Sequence, residues 1–323
     1  MSFRPLTRLR RLFIVSPPVK FIIRRSKKIC LPGFRGIPLF DVTRFFFLNA
    51  RKVGFAERAS AISFNFTMAI PPAIIFLFTL VPYLPISTAF INQVFSLVRD
   101  VVPGRANNEG IIGFLLDILN KPRTGLLSTG FILALFFSSN AVMGIMRSFD
   151  KNYIGFVRQR GFKRRFQALR LTFILFILFF LSMVALIAQG AVLRWLGIEN
   201  TTLIVIIHNF RWLLIVLMFF MSISFIYRYA TSMQKKWRLI NPGSIFATFL
   251  MIVFTGGFSY YVSNFSNYNE LYGSISTILI LMLLIYFNSL VLLIGFELNV
   301  SINSLRHEVD ERNKNQHMSA QPA

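Results

Sequence analysis

Acidic residues are scarce in this chain: 12 Asp and Glu stand against 35 Lys and Arg over 323 residues. Cysteine is nearly absent, and Cys30 alone can form no intramolecular disulfide and no cysteine-rich metal site. His208, His307 and His317 are scattered, with no two at ligand spacing. The chain also lacks a GxSxG elbow, a phosphate-cradling GxxxxGK(S/T) loop, an HExxH pair and any His/Asp group able to hold two metals. Asp100, Glu109 and Asp117 are single and spaced like solvated helix faces. No stretch between the apolar blocks is large enough for a conventional catalytic domain. The reading is therefore of a non-enzymatic protein with no catalytic, cofactor or metal site. No internal repeat is visible.

What the chain has in abundance is apolar surface. Hydrophobic residues make up 55% of it, and 38 residues are Phe. They come in blocks longer than a soluble core requires. About 20 mostly apolar residues span a bilayer, because every backbone polar group at that depth must be paired within its own helix. Six segments meet this length: Ala59–Val81, Gly125–Met146, Leu171–Leu193, Leu203–Tyr227, Gly243–Phe265 and Ser274–Leu298. The third contains no charge at all. The fourth is least sharply bounded, since His208, Asn209 and Arg211 occupy its outer end. The first 30 residues do not read as a cleavable signal, because Arg and Lys interrupt every apolar run there.

The excess of positive charge would suggest nucleic acid on a soluble protein. Here its distribution argues otherwise. With six spans and the N-terminus inside, 29 of the 35 basic residues fall on one side. The other side holds Arg99, Arg105, Lys121, Arg123, Arg194 and Arg211. This is the bias that retains loops in the cytoplasm. The expectation is an all-α polytopic membrane protein with both termini inside. Residues 1–58 form a basic cytoplasmic arm, 59–302 the six-helix membrane domain and 303–323 a cytoplasmic polar tail.

The arm should be attracted to anionic lipid, by about 1 kcal/mol for each basic residue near the surface. A disordered positive-inside retention signal accounts for it equally. Asp41–Arg58 alternates Phe, Leu and Val with Arg and Lys, which predicts one interfacial helix leading into the first span. In the outer segment Pro82 to Thr124, Ile86, Phe90, Val94, Leu97 and Val101 recur at helical spacing, as do Ile111, Leu115 and Ile118. Two short amphipathic helices joined by a turn at Pro103–Gly110 fit that pattern.

Polar side chains at membrane depth usually face the bundle interior or a wet cavity. The first span carries Asn65 and then Pro71 and Pro72, which should kink or break the helix. The second carries Ser138, Ser139 and Asn140. The fifth has Ser259, Tyr260, Tyr261 and Asn264, and the sixth Asn288, Ser289, Glu297 and Asn299. Such residues either line a route through the bundle or hydrogen-bond helices together with no solute involved. Glu297 is the only carboxylate within the six spans. It could carry a coupling proton or bind a cationic group, or it could simply pair with an arginine at the interface.

Several motifs resemble a known family. KKWRLINPGS (Lys235–Ser244) precedes an aromatic and small-residue helix that ends in YYVSNFSNY; YGSIS (Tyr272–Ser276) and LIGFELN (Leu293–Asn299) follow. This order resembles the YihY/BrkB family of bacterial inner-membrane proteins, whose last helix begins Tyr-Gly and ends Gly-x-Glu. Tyr272, Gly273, Gly295 and Glu297 match those positions. SSNAVMGIMRSFDKNY, at the exit of the second span, fits as well. The likeness covers roughly residues 45–305. Phe64 stands where the family often has Tyr, and Leu284 where it has Trp, which weakens any role needing a hydroxyl or an indole there.

The resemblance implies a multi-pass plasma-membrane protein, with transport of a lipid-like or amphiphilic solute as a proposed role. An old ribonuclease label on the family is generally regarded as a misassignment. The residues singled out for a transport cavity are Asn65, Pro71, Pro72, Asn140, Tyr272, Gly273, Asn288, Gly295 and Glu297. Membrane lipid is the expected partner and nucleic acid is not. A scaffold organising an envelope complex through its basic face is the alternative.

Overall fold

The computed structural model describes residues 17–30, 33, 34, 36–50, 54–83, 113, 116, 117, 124–150, 161–195, 201–233, 236–265 and 275–319. Among them the chain is helical and contains no strand. Two short helices, α1 (Pro17–Ser26) and α2 (Leu39–Ala50), precede six longer ones. These are α3 (Phe55–Leu80), α4 (Thr124–Phe149), α5 (Phe162–Trp195), α6 (Thr201–Tyr229), α7 (Pro242–Phe265) and α8 (Ile275–Ser319).

Five stretches are long and apolar enough to cross a membrane: Phe55–Tyr83, Thr124–Phe149, Phe162–Ala185, Pro242–Val262 and Ile278–Arg312. They coincide with five of the six expected segments. The remaining one, Leu203–Tyr227, lies inside α6, where the apolar stretch among the described residues is the shorter Leu213–Tyr229.

Each long helix packs on the next in sequence, and α8 returns to pack on α3, so the six close into a ring. The fully buried side chains gather at one end of it. Ile62 of α3, Ile145 and Phe149 of α4, Leu171 of α5, Tyr227 of α6, Ala247 of α7 and Phe296 of α8 share one core there. This is the end next to the Lys- and Arg-rich connections. At the opposite end Phe76, Phe131, Phe176 and Phe180 hold α3, α4 and α5 together, Phe76–Phe180 and Phe131–Phe176 meeting edge to face and Phe76 tilted against Phe131 and Phe176. Residues 213–222 of α6, 249–262 of α7 and 278–288 of α8 contain no buried side chain.

Two local features differ from the sequence expectation. Asp41–Arg58 is not one helix: α2 ends at Ala50, and Arg58 already belongs to α3. Gly54 stands immediately before α3 with φ of 64°, a left-handed geometry that any Cβ would strain and that lets the chain turn. Nor is the first long helix broken, since α3 continues through Pro71 and Pro72 to Leu80. The prolines deprive the Thr67 and Met68 carbonyls of their usual donors, but α3 has α4 and α8 packed along it. Tertiary contact therefore carries the helix where its own ladder is interrupted.

The last helix extends beyond its apolar stretch to Ser319, and α2 packs against the C-terminal part of that stretch. Val42, fully buried, meets Phe34, Ile37 and Ile302 there, with Leu298 and Leu305 alongside. The amphipathic pattern of the first outer segment lies outside the described residues, apart from Gly113, Leu116 and Asp117.

Candidate functional site

The basic end of the ring is held by polar and close-packed contacts that tie α8 to its neighbours. Glu297 sits there on α8 with 2% of its side chain exposed. The Arg58 guanidinium, from the first turn of α3, donates to its Oε1 at 2.9 Å and is itself only 9% exposed. The other terminal nitrogen of Arg58 donates to the Ser148 carbonyl near the end of α4. One arginine thus joins the first, second and last helices of the ring. In a dry setting the pair must offset the desolvation of both charges, and extra hydrogen bonds of this kind are what make that feasible.

Beside the ion pair, α8 approaches α7 too closely for any side chain. A Cβ on Gly243 would collide with the Gly295 carbonyl, and one on Gly295 would lie 2.7 Å from Ala247 Cβ. Small residues at a membrane helix crossing let two backbones come together and gain van der Waals contact. Tyr227 of α6 fills the third side and donates to the Leu292 carbonyl at 2.7 Å. Phe149 and Phe296 stack face to face, centroids 3.9 Å apart, with Trp237 5.7 Å from Phe296.

A second polar joint fixes the start of α7. Asn241 precedes Pro242, the first helical residue, and its Oδ1 accepts from the Ser244 N–H at 2.8 Å. This is an N-cap followed by a proline whose missing N–H costs the helix nothing. The same Oδ1 accepts from Asn299 Nδ2 at 2.6 Å, while Asn299 Oδ1 accepts from the Gly243 N–H at 2.8 Å. The two sequence motifs KKWRLINPGS and LIGFELN are therefore the two halves of one contact.

The sequence-selected residues occupy separate places. Asn65 donates to the Ala61 carbonyl of its own helix at 2.7 Å and packs against Gly144 of α4. Asn140 accepts from Arg165 of α5 at 2.5 Å. Asn288 accepts from Thr255 of α7 at 3.2 Å. Pro71 is exposed and Pro72 half-buried on α3. Gly295 and Glu297 belong to the joint just described. Tyr272 and Gly273 lie outside the described residues. No hydrogen bond links Asn65, Asn140, Asn288 and Glu297 to one another.

Sequence reasoning missed Arg58, Tyr227, Asn241 and Gly243. Asn241 had a usable signal, since Asn-Pro-Gly ahead of an apolar run marks a helix start. Arg58 had none, being one basic residue among many in its region. Among the described residues no three His, Cys, Asp or Glu side chains are grouped to hold a metal ion. What these contacts do is clamp the helices together at one end.

Comparison with known proteins bears on the same residues. The model of the family described as virulence factor BrkB matches residues 46–321. A Bacillus subtilis protein described as ribonuclease-like, YfkH, is 29% identical over 263 residues, covering 79% of this chain and 92% of that protein. A UPF0761 membrane protein of Xanthomonas campestris pv. campestris is 34% identical over 89 residues, 28% of this chain and 21% of its own length. The counterpart from Xanthomonas axonopodis pv. citri matches to the same extent. This chain thus spans only about a fifth of the Xanthomonas relatives. No solved structure matches. The family match takes in all six long helices and nearly the whole described chain, leaving out most of the basic arm: this protein belongs to the virulence factor BrkB family of membrane proteins.

Proposed function

We propose that this protein lies in the bacterial plasma membrane with α3 to α8 as six spans and both termini in the cytoplasm. Its role in this reading is to move a lipid-like or amphiphilic solute, without enzymatic activity. The observation that carries the proposal is the uneven packing of the ring. Its basic end is closed by the Arg58–Glu297 pair and the Phe149–Phe296 stack. Residues 213–222, 249–262 and 278–288 bury no side chain, yet Thr255 and Asn288 meet there. A vestibule facing away from the cytoplasm and shut at the inner end fits this distribution. A solute drawn from the bilayer needs such a space, polar at one wall and apolar at the rest.

Reconstituted vesicles carrying a short-chain fluorescent phospholipid test the idea. Its transfer between leaflets should exceed that of protein-free vesicles. Cysteines placed at Thr255 and Asn288 in a Cys30→Ser background should react with a membrane-impermeant thiol reagent, and one at Phe296 should not. Background transfer rates together with unreactive Thr255 and Asn288 positions would defeat the proposal. The ribonuclease-like description of the Bacillus relative offers a different activity. RNA cleavage by the purified chain, lost in Glu297→Gln, would put that reading in place of transport.

A further inference from the structure

Three basic side chains converge on one aromatic ring at the basic end of α5 and α6. The Lys236 ammonium lies 4.8 Å from the Tyr229 ring centroid, the Arg228 guanidinium 5.8 Å and the Arg170 guanidinium 6.0 Å. They come from three segments: α5, the end of α6 and the connection to α7. The ring they surround is held in place. Gln167 of α5 donates to the Tyr229 carbonyl, and Phe225 stacks on the ring at 5.9 Å.

Charges gathered around one ring lie within about a Debye length of each other, ~10 Å at 0.1 M salt, and repel. Attraction to the ring face offsets part of that repulsion. No acid offsets the rest: among the described residues, the carboxylates in ion pairs face Arg58, Arg164, Arg306 and His307. The Nε of Arg228 is buried with no hydrogen-bond partner. Such a cluster of cations attracts an anion.

Its surroundings indicate which anion. Arg170 shares a helical face with Phe166, Phe173, Ile177 and Leu181, spaced at intervals of three and four. Those four apolar side chains are all more than half exposed. The face therefore runs from a cationic cluster at the membrane surface straight into an open apolar stripe. A soluble phosphate has no use for that stripe, whereas a phospholipid needs both parts. Guanidinium groups match phosphate oxygens in pairs, and tyrosine rings favour headgroup depth.

We propose that Arg170, Arg228 and Lys236, arranged around Tyr229, bind the phosphate headgroup of an anionic phospholipid of the cytoplasmic leaflet, its chains lying along the exposed face of α5. The site requires the basic end to face the cytoplasm and does not depend on transport.

Native mass spectrometry of the full chain, titrated with phosphatidylglycerol or phosphatidylcholine, tests it. The wild-type protein should take its first phosphatidylglycerol at roughly 30- to 150-fold lower concentration than phosphatidylcholine, as expected for two or three basic contacts. Arg170→Gln with Lys236→Gln changes only exposed side chains, so the fold is kept, and it should lose the tightest phosphatidylglycerol site, keeping only the weaker preference that the other basic residues supply. Arg306→Gln, at a position already facing Asp310 at 3.6 Å, should behave as wild type. An undiminished phosphatidylglycerol preference in the double variant would overturn the site. Displacement of the lipid by inorganic phosphate at matched concentration would overturn the lipid assignment and leave a free-anion site.

Discussion

Arg58 and Glu297 are separated by 239 positions in the chain and meet at 2.9 Å, joining the first and last helices of the ring. Among the described residues their contact is the ion pair that closes the circle, whereas the Arg164–Asp150 bridge joins α5 to the end of α4, its neighbour in sequence. Removing one partner leaves a buried charge uncompensated.

Glu297→Gln and Arg58→Gln are accordingly expected to destabilise the folded protein by about 3–5 kcal/mol each. The double replacement Arg58→Leu with Glu297→Leu should cost clearly less than the two single losses together, because no orphaned charge remains. Thermal unfolding of detergent-solubilised protein, followed by size-exclusion fluorescence, measures this. Additive losses would show the pair to be uncoupled.

Gly295→Leu should prevent α7 and α8 from closing, with loss of monodisperse protein, because a side chain there meets Tyr227 and Ala247 at once. Gly256→Ala and Gly257→Ala lie within the same α7 but face open space, and should be tolerated. Expression and elution profiles of the three variants separate a packing role from a general sensitivity of glycines.

Asn299→Ala removes two hydrogen bonds at the start of α7 and should cost about 1–3 kcal/mol, since the buried Gly243 N–H loses its acceptor. Asn288→Ala removes one side-chain contact at 3.2 Å, nearer the ~0.6 kcal/mol typical of hydrogen bonds between membrane helices. The order of the two melting-temperature shifts is the check.

Topology has its own test. Reporter fusions after Arg123 and after Arg165 should report opposite compartments, the second cytoplasmic, as the distribution of Lys and Arg requires. Agreement between the two would mean that α4 does not cross the membrane, and the six-span reading would fall with it.

Much of the helical layout could be read from composition alone, because a bilayer-length apolar run admits few alternatives. Five of the expected segments coincide with helices long enough to span. Glu297 stood out for the same reason, as a lone carboxylate in an apolar stretch. Its partner did not, because Arg58 lies in a region crowded with basic residues and nothing local marks the one that faces inward. The motifs around Asn241 and Asn299 were each visible, but their contact spans 58 residues and depends on α7 lying beside α8. Gly54 escaped notice because the Phe, Leu and Arg alternation runs across it unchanged. The Pro71–Pro72 pair misled in the other direction, since helix propensity carries no information about the neighbours that hold α3 continuous.

That the circle is completed by its final member has a bearing on how the protein is made. During synthesis Arg58 reaches the bilayer long before Glu297 leaves the ribosome, so the nascent chain must wait with a lone guanidinium at the rim of the hydrocarbon. A polypeptide cut short before Ile275 never meets its counter-ion. Such fragments should be recognised as unfinished and degraded, which makes the last helix the seal of quality for the whole assembly.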